Sequence, residues 1–282
     1  MFRKTNIFSG LALAGAILAS EAWHRSHRPP LDLRRARVAV HYEPVQIGAV
    51  AAPAHLAGAW AVSASDGRFG GVSGLAIDRG KLLALSDAGM LMWLDRPGTA
   101  HPAVTIRALP AVPGPANYKI GRDSEALLRD PGGRGWWVAF EQFHSVLLYD
   151  AAFERLLKRI PVFNPTFTDN HGIEALAANH GRVQWLAEST EASDAALLPD
   201  GTTILLKRRI GLTGVSSWLE RDGKRLALPL TWSDNPEALT AELLANGETR
   251  LWIMTDNDLR AWRRTLLVAI DLPPPEPPAP PR

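Results

Sequence analysis

The chain has 282 residues, with 31 Lys and Arg against 29 Asp and Glu, a formal charge of +2, and no cysteine. The missing thiols exclude disulfides, thiolate metal centres and cysteine nucleophiles. Its basic pairs, Arg34-Arg35, Arg208-Arg209 and Arg263-Arg264, are scattered and make no stripe for nucleic acid.

Phe2-Arg3-Lys4 is a basic start, Ile7 to Leu18 is an apolar run, and Ala19, Ser20 and Ala22 are small. This layout predicts a signal peptide over residues 1–22, too short to span a bilayer, and hence a periplasmic or secreted protein. An uncleaved anchor is the alternative; after cleavage no stable membrane span is expected. Residues 23–32 read as a linker and 33–272 as the folded domain. Residues 273–282 are dominated by proline, which cannot extend a ladder or a helix, and read as a disordered tail.

Within the domain, Val38, Val40, Tyr42, Val45 and Ile47 predict a first strand pair between Leu33 and Val50. A hairpin follows, Val72 to Ile77 and Lys81 to Ser86 around Asp78-Arg79-Gly80, with a third strand at Leu91 to Leu94. After a Pro/Gly-rich stretch with an outer strand at Val104 to Ala108 come Ala126 to Leu128, Gly135 to Phe140, Val146 to Tyr149 and Leu156 to Val162. Ile173 to Ala177 and Val183 to Ala187 form the next hairpin. Further strands are Ala195 to Leu198, Thr203 to Lys207, Val215 to Leu219, Leu226 to Leu230, Leu239 to Leu244 and Arg250 to Met254. Leu266 to Ile270 is placed to close a ring.

One phrase recurs through these hairpins. It is Ser73-Gly74-Leu75-Ala76-Ile77 leading to Ser86-Asp87, Asp123-Ser124-Glu125-Ala126-Leu127 leading to Glu141, and Gly172-Ile173-Glu174-Ala175-Leu176 leading to Glu188. A looser copy is Pro236-Glu237-Ala238-Leu239 leading to Asp256. Starts at 74, 125 and 174 are 51 and 49 residues apart, a spacing of blades. The expected fold is all-β, a single β-propeller of five or six blades of short antiparallel strands.

In such a fold Glu125, Glu174 and Glu237 take equivalent places near the starts of channel-lining strands. Asp87, Glu141, Glu188 and Asp256 form a second set that reads more as blade staples. Carboxylates gathered in one channel repel unless protonated, hydrogen-bonded or neutralised by a cation, and hard oxygen ligands suit calcium or magnesium. The candidate catalytic residues are Glu125, Glu174 and His171, and the candidate substrate contacts are Asp123, Asn170 and Asp87. The candidate metal ligands are Glu125, Glu174 and Asp169. His144 carries a weaker suggestion of a base. Asp256-Asn257-Asp258 lacks the glycine and terminal glutamate of a calcium loop. Ser73 lacks the context of a nucleophile elbow and reads as structural. Trp136, Trp137, Trp185 and Trp252, on returning strands, are expected in the packing.

The Glu-Ala-Leu phrases with Ser86-Asp87, Phe140-Glu141, Asn170-His171 and Ala187-Glu188 resemble the esterase-like-activity-of-phytase family over about residues 68–270. The resemblance implies an exported propeller and a hydrolase of ester or phosphoester bonds, with calcium. The first copy departs from the others, with Gly74 in place of their glutamate. The leading expectation is a monomeric, exported hydrolase of a small-molecule ester or phosphoester, using channel carboxylates and a divalent cation. The alternative is a non-catalytic propeller binding a small ligand or a protein partner, its acids acting as staples or as a structural calcium site. A lactonase-like sugar enzyme would differ only in substrate.

Overall fold

The computed structural model describes residues 30–164, 167, 172–179, 181–187, 191–211, 214–231, 233–257 and 263–274. The chain divides into a unit of residues 1–32 and a unit of residues 33–282. In the first, residues 30–32 are described and form no strand or helix. The expected signal peptide, most of the linker and most of the tail lie outside the described residues. So do Glu188 and Asp258.

The second unit is all-β. It begins with β1 (Ala36–Pro44) and β2 (His55–Ala64), then β3 (Val72–Asp78), β4 (Lys81–Ser86), β5 (Met90–Leu94) and β6 (Ala103–Ala108). A 3-10 turn at Lys119–Gly121 leads into β7 (Ser124–Arg129), β8 (Gly135–Phe140), β9 (Ser145–Asp150) and β10 (Leu156–Pro161). Next come β11 (Ile173–Asn179) and β12 (Arg182–Ala187), then β13 (Ala192–Leu197), β14 (Thr203–Gly211), β15 (Gly214–Arg221) and β16 (Lys224–Ala227). The last are β17 (Asn235–Leu243), β18 (Thr249–Asp256) and β19 (Thr265–Leu272). Turn chemistry sets the hairpins: between β3 and β4, Arg79 and Gly80 both take positive φ, 50° and 76°, as a two-residue turn with the twist of the strands requires. Among the described residues no helix is long and apolar enough to cross a membrane.

Neighbouring strands pair antiparallel throughout. The sheets are β3 to β6, β7 to β10, β11 with β12, β13 to β16, and β17-β18-β19-β2, with β1 joining β2 to β6 so that the first and last run together. The strand that opens each sheet packs on the next: β3 on β7, β7 on β11, β11 on β13, β13 on β17, and β17 back on β3. The arrangement is propeller-like, a cycle of sheets around their first strands.

The inner and middle strands of the best-buried sheets, such as β3 to β5 and β8 to β9, are apolar on both faces because they lie between two layers. Leu127, Trp136 and Val138 pack toward β3–β6 with Leu83, Leu85 and Leu91, whereas Ala126, Trp137 and Ala139 pack toward Ile173 and Leu176. Those strands therefore read as continuous apolar runs, whereas β1 alternates between its faces. Between the β11–β12 pair and β13 the buried filling is small, Ala175, Ala177 and Ala195, with Leu186 and Leu205 packed against it. A larger core holds Leu206 and Leu219 against Leu251, Ile253, Leu266 and Val268.

Three expectations change. The segment from Leu33 to Val50 holds one strand, β1, whose partners are the next strand, β2, and the more distant β6 rather than its own continuation. The strand expected at Ala195 starts at Ala192 and belongs to the inner cycle. Trp136, Trp137 and Trp252 are buried, but Trp185 leaves 38% of its surface in solvent, because β12 has no outer strand over it among the described residues.

Candidate functional site

Every inner strand carries one extra residue near its start. The pairing slips between Val72 and Gly74, Ser124 and Ala126, Ile173 and Ala175, Ala192 and Asp194, and Pro236 and Ala238. The inserted residues are Ser73, Glu125, Glu174, Ser193 and Glu237. A bulge of this kind frees one side chain from the ladder and re-aims it. At two positions the chain supplies a staple: Ser73 Oγ donates to the Ser124 carbonyl at 2.6 Å, and Ser193 Oγ to the Pro236 carbonyl at 3.1 Å, each on the next sheet. At the other three it supplies a carboxylate. The residue equivalent to Glu125 in the first copy is thus Ser73, not Gly74.

A second set follows from the same register. The residues after Ser86, Phe140, Lys207 and Thr255 in the returning strands are Asp87, Glu141, Arg208 and Asp256. The amides of Asp87, Glu141 and Arg208 donate to the carbonyls of Gly71, Asp123 and Glu191 at 2.7, 2.9 and 2.9 Å. That bond fixes each side chain at the end of its sheet nearest the bulges.

The two sets meet around Glu125. Carboxylate oxygens of Asp123, Glu125 and Glu141 lie within 4.8 Å of one another. Burial, and then the negative charge of Asp123, Glu174 and Glu141, pushes the Glu125 carboxyl well above the usual range, with Lys119 pulling the other way. Lys119 Nζ bonds Asp123 and stands 3.2 Å from Asp87. Burial works against its ammonium, but Asp87, Asp123 and Glu125 outweigh it and hold the pKa above the ordinary lysine value. Across the cluster, Arg208 bonds Glu237 and, at 2.5 Å, Asn235, while Asn235 Nδ2 donates to Glu237 at 2.7 Å. Burial opposes its charge too, and Glu237, Glu174 and Glu125 raise its pKa.

Arg122 holds the loop that presents Lys119. It is 1% exposed, and its guanidinium donates to the carbonyls of Ala88, Gly89, Leu109 and Ala116 at 3.0, 2.9, 3.1 and 3.2 Å. Burial draws its pKa down to about 10, still high enough for a cation at neutral pH. Gly172 comes close to the cluster: a Cβ there would stand 3.1 Å from Glu141 Cγ and 3.4 Å from His144 Nδ1. That His144 nitrogen is buried without a hydrogen-bond partner among the described residues, and the ring packs on Phe167 at 5.2 Å.

Of the residues expected from sequence, Asp87, Asp123, Glu125 and Glu174 come together here. Asp169, Asn170 and His171 lie outside the described residues. Glu141, expected as a staple, stands with Asp123 and Glu125. Asn257 ties the last sheet to the first, its Oδ1 accepting from the Gly71 amide at 3.2 Å. Lys119, Arg208 and Asn235 escape the sequence reading. Arg208 alone carries a usable signal, since it follows Lys207 as Glu141 follows Phe140 once a fifth copy is recognised at Ser193-Asp194-Ala195.

Residues 67–205 match the phytase-like family model, esterase-like activity of phytase. This phytase-like segment holds Asp87, Lys119, Asp123, Glu125, Glu141 and Glu174, while Arg208, Asn235 and Glu237 follow it. It is shorter than the span of the resemblance drawn from the repeated phrases. No curated protein matches the chain. Among solved structures, the chain is similar to the hydrazine synthase of Kuenenia stuttgartiensis at 12% identity, covering 69% of this chain and 59% of that one, with a TM-score of 0.32. It is similar to the dihydro-heme d1 dehydrogenase NirN at 14% identity, covering 84% and 54%, with a TM-score of 0.33. For a nidogen/laminin complex the identity is 11%, the coverage 78% and 90%, and the TM-score 0.37. The chain thus spans little more than half the length of the first two.

Proposed function

We propose that this protein is an exported five-bladed β-propeller hydrolase that cleaves a small ester or phosphoester at the Asp123–Glu125–Glu141 cluster. The cycle of β3, β7, β11, β13 and β17 supports five blades rather than six. The observation that carries the activity is the meeting of three carboxylates within 4.8 Å, with Glu125 held above the usual range. Perturbed acids gathered in this way are a feature of sites of proton transfer.

The donors fit a divalent cation of the calcium or magnesium type: three hard oxygens, no sulfur, and mutual repulsion that a cation would relieve. Bound by Asp123, Glu125 and Glu141, it would polarise the scissile group and lower the pKa of water. Without it, burial and the neighbouring carboxylates favour the protonated form of Glu125 more than in an ordinary glutamate. Asp123 and Glu141 are placed to orient a water and accept its proton, and Lys119 brings positive charge to the oxygen that becomes negative on attack. Glu174 sets the field around Glu125. The leader-like residues 2–22 support export, and a small-molecule substrate and a monomer complete the reading.

The second reading is a binding propeller without catalysis. It is favoured by the pairing of Lys119 with Asp87 and Asp123 and of Arg208 with Glu237, which neutralises several of the acids internally. Hydrolysis of nitrophenyl esters and phosphoesters with calcium, magnesium or chelator, beside a Glu125→Gln, Glu174→Gln double variant, separates the two. The hydrolase reading expects cation-dependent turnover, lost by about a hundredfold or more in a variant that still folds. No turnover, with calcium still raising the melting temperature, would leave the binding reading.

A further inference from the structure

Away from the carboxylate cluster, arginines gather where the first two sheets meet. The register of β1 with β6, which sets Ala36 against Ile106 and Arg37 against Thr105, brings Arg35 opposite Arg107. Like charges directly opposed on antiparallel strands repel, and the pair costs stability unless something offsets it. No carboxylate bonds to either one. Among the described residues the exposed Arg35 side chain makes no hydrogen bond or ion pair, and Arg107 donates only through Nη2, to the carbonyls of Ala152 at 2.5 Å and Phe153 at 3.4 Å. Arg107 Nε is buried without a partner. The Arg107 guanidinium is nonetheless held in place, lying over the Trp93 ring at 5.1 Å. Trp93 meets Phe153 edge-on at 6.0 Å, and Phe153 stacks at 5.6 Å on Trp136, which Arg129 covers at 5.0 Å. The fold thus positions Arg107 without neutralising it, as suits an arginine that binds a ligand.

The surroundings add positive charge. Burial lowers the Arg107 pKa first, Arg35 next, and Arg79 adds to them, while Glu154 and Asp150 oppose. Asp150 is engaged by Arg155 at 3.2 Å and by the Glu154 amide at 2.8 Å. Asp78 accepts from Arg79 at 2.8 Å and from Trp93 Nε1 at 2.9 Å, and Arg129 stands 3.9 Å from it. Five guanidiniums, those of Arg35, Arg79, Arg107, Arg129 and Arg155, therefore face the three carboxylates of Asp78, Asp150 and Glu154. On the Arg37 flank the balance is no more negative, since Asp95 is shared by Lys81 at 2.5 Å and Arg37 at 3.9 Å.

We infer that this junction binds a doubly negative tetrahedral oxyanion of the phosphate type, between Arg35, Arg79 and Arg107. Guanidinium forks match phosphate oxygens in pairs, and a dianion cancels the local excess that a single carboxylate would leave half in place. Arg79 follows Asp78 at the end of β3 remote from the bulges, so the inference stands apart from the hydrolase reading. Free phosphate and a phosphate carried on a lipid headgroup offer the same chemistry.

Titration calorimetry of the full chain with sodium phosphate, against sodium chloride at equal ionic strength, tests the site. The proteins are wild type, Arg35→Gln, Arg79→Gln and, as a control on β16, Arg225→Gln. All three side chains are exposed, so the variants are expected to fold. Phosphate should bind with a heat that chloride lacks. Arg35→Gln should weaken it by about tenfold, the worth of one charge-assisted hydrogen bond, and Arg79→Gln by less, since that guanidinium also serves Asp78. Arg225→Gln should bind as wild type does. In a second arm, sedimentation with vesicles of phosphatidic acid or phosphatidylcholine separates the two sources. Pelleting with phosphatidic acid alone, reduced by Arg35→Gln and without binding of free phosphate, assigns the site to a headgroup. No binding in either arm, or binding that Arg35→Gln leaves unchanged, would overturn the inference. Equal weakening by Arg225→Gln would overturn it too, reducing the effect to overall charge.

Discussion

At the residue scale, two kinds of acid stand at opposite ends of the same strands. Asp78, at the far end of β3, accepts from Trp93 Nε1 at 2.9 Å and from Arg79 at 2.8 Å. Asp130, just past β7, accepts from Trp137 Nε1 and Arg134 Nη2, both at 2.7 Å. Glu242 on β17 accepts from Trp252 Nε1 at 2.7 Å and from two Arg96 nitrogens at 2.7 and 2.8 Å. These acids are staples, Asp78 and Asp130 within their own blades and Glu242 between the last and the first, each carboxylate matched by an indole and a guanidinium. The Arg134 guanidinium, working against burial, holds the Asp130 carboxyl well below the usual range. A depressed folded-state pKa contributes stability that is full above the unfolded value, near 3.9, and is lost as pH falls through the folded one. Asp130→Asn should therefore cost about 1–3 kcal/mol at pH 7 and progressively less below about pH 4. Denaturant midpoints at pH 7 and pH 3 measure the difference, and equal losses at both would deny the charge any part. None of these staples shows in the sequence, because Asp78 and Asp130 read as turn residues until the register sets an indole against them. Glu125 and Glu174 are legible because their phrase repeats. Lys119 is not, since it lies in a Pro/Gly-rich stretch that reads as a connector.

At the element scale, the inner-strand bulge decides both site and packing. It shifts the equivalence of the copies by one residue, which is why phrase-matching alone sets Gly74 against Glu125. Gly74 has a separate reason to be glycine: an added Cβ would stand 2.9 Å from both the Leu127 Cβ and the Leu127 backbone nitrogen on the neighbouring strand. The position one past the bulge faces the next sheet, and in β13 it is Asp194, whose oxygens accept from the Ala195 and Leu239 amides at 2.8 and 2.7 Å. Gly74→Ala should cost about 1–3 kcal/mol as β3 is pushed off β7. Gly67→Ala, where nothing lies within 4 Å of the new methyl, should stay within about 0.5 kcal/mol. Urea unfolding of both reads the contrast, and similar costs would mean that β3 and β7 have room to part. Hairpins with Gly turns are plain in the sequence, whereas a bulge leaves no composition of its own, and the serine that fills it twice reads as an ordinary strand residue.

At the scale of the whole molecule, the cycle is closed by strands from opposite parts of the chain. β2 pairs antiparallel with β19, setting Ala59 against Val268 and Trp60 against Leu267, and β1 carries the connection on to β6. A strand such as Leu266 to Ile270 is recognisable as the last of the ring from its apolar run. Its partner some two hundred residues earlier is not, because antiparallel pairing at that separation leaves no local signal. The seam is open to a direct test, since the chain has no cysteine to mispair. Directly opposed Cα atoms on antiparallel strands lie about 4.5–5.5 Å apart, within reach of a disulfide, while diagonal positions two residues off do not bridge readily. Ala59→Cys with Val268→Cys should oxidise to a bridged monomer, and Ala59→Cys with Leu266→Cys should not. Linking residues so far apart removes much of the freedom of the unfolded chain, about 3–5 kcal/mol, so the bridged form should melt several degrees above its reduced form. Bridging in the diagonal pair and not in the opposed one would shift the register of the seam by two residues and, with it, the side chains that β2 sets against β19.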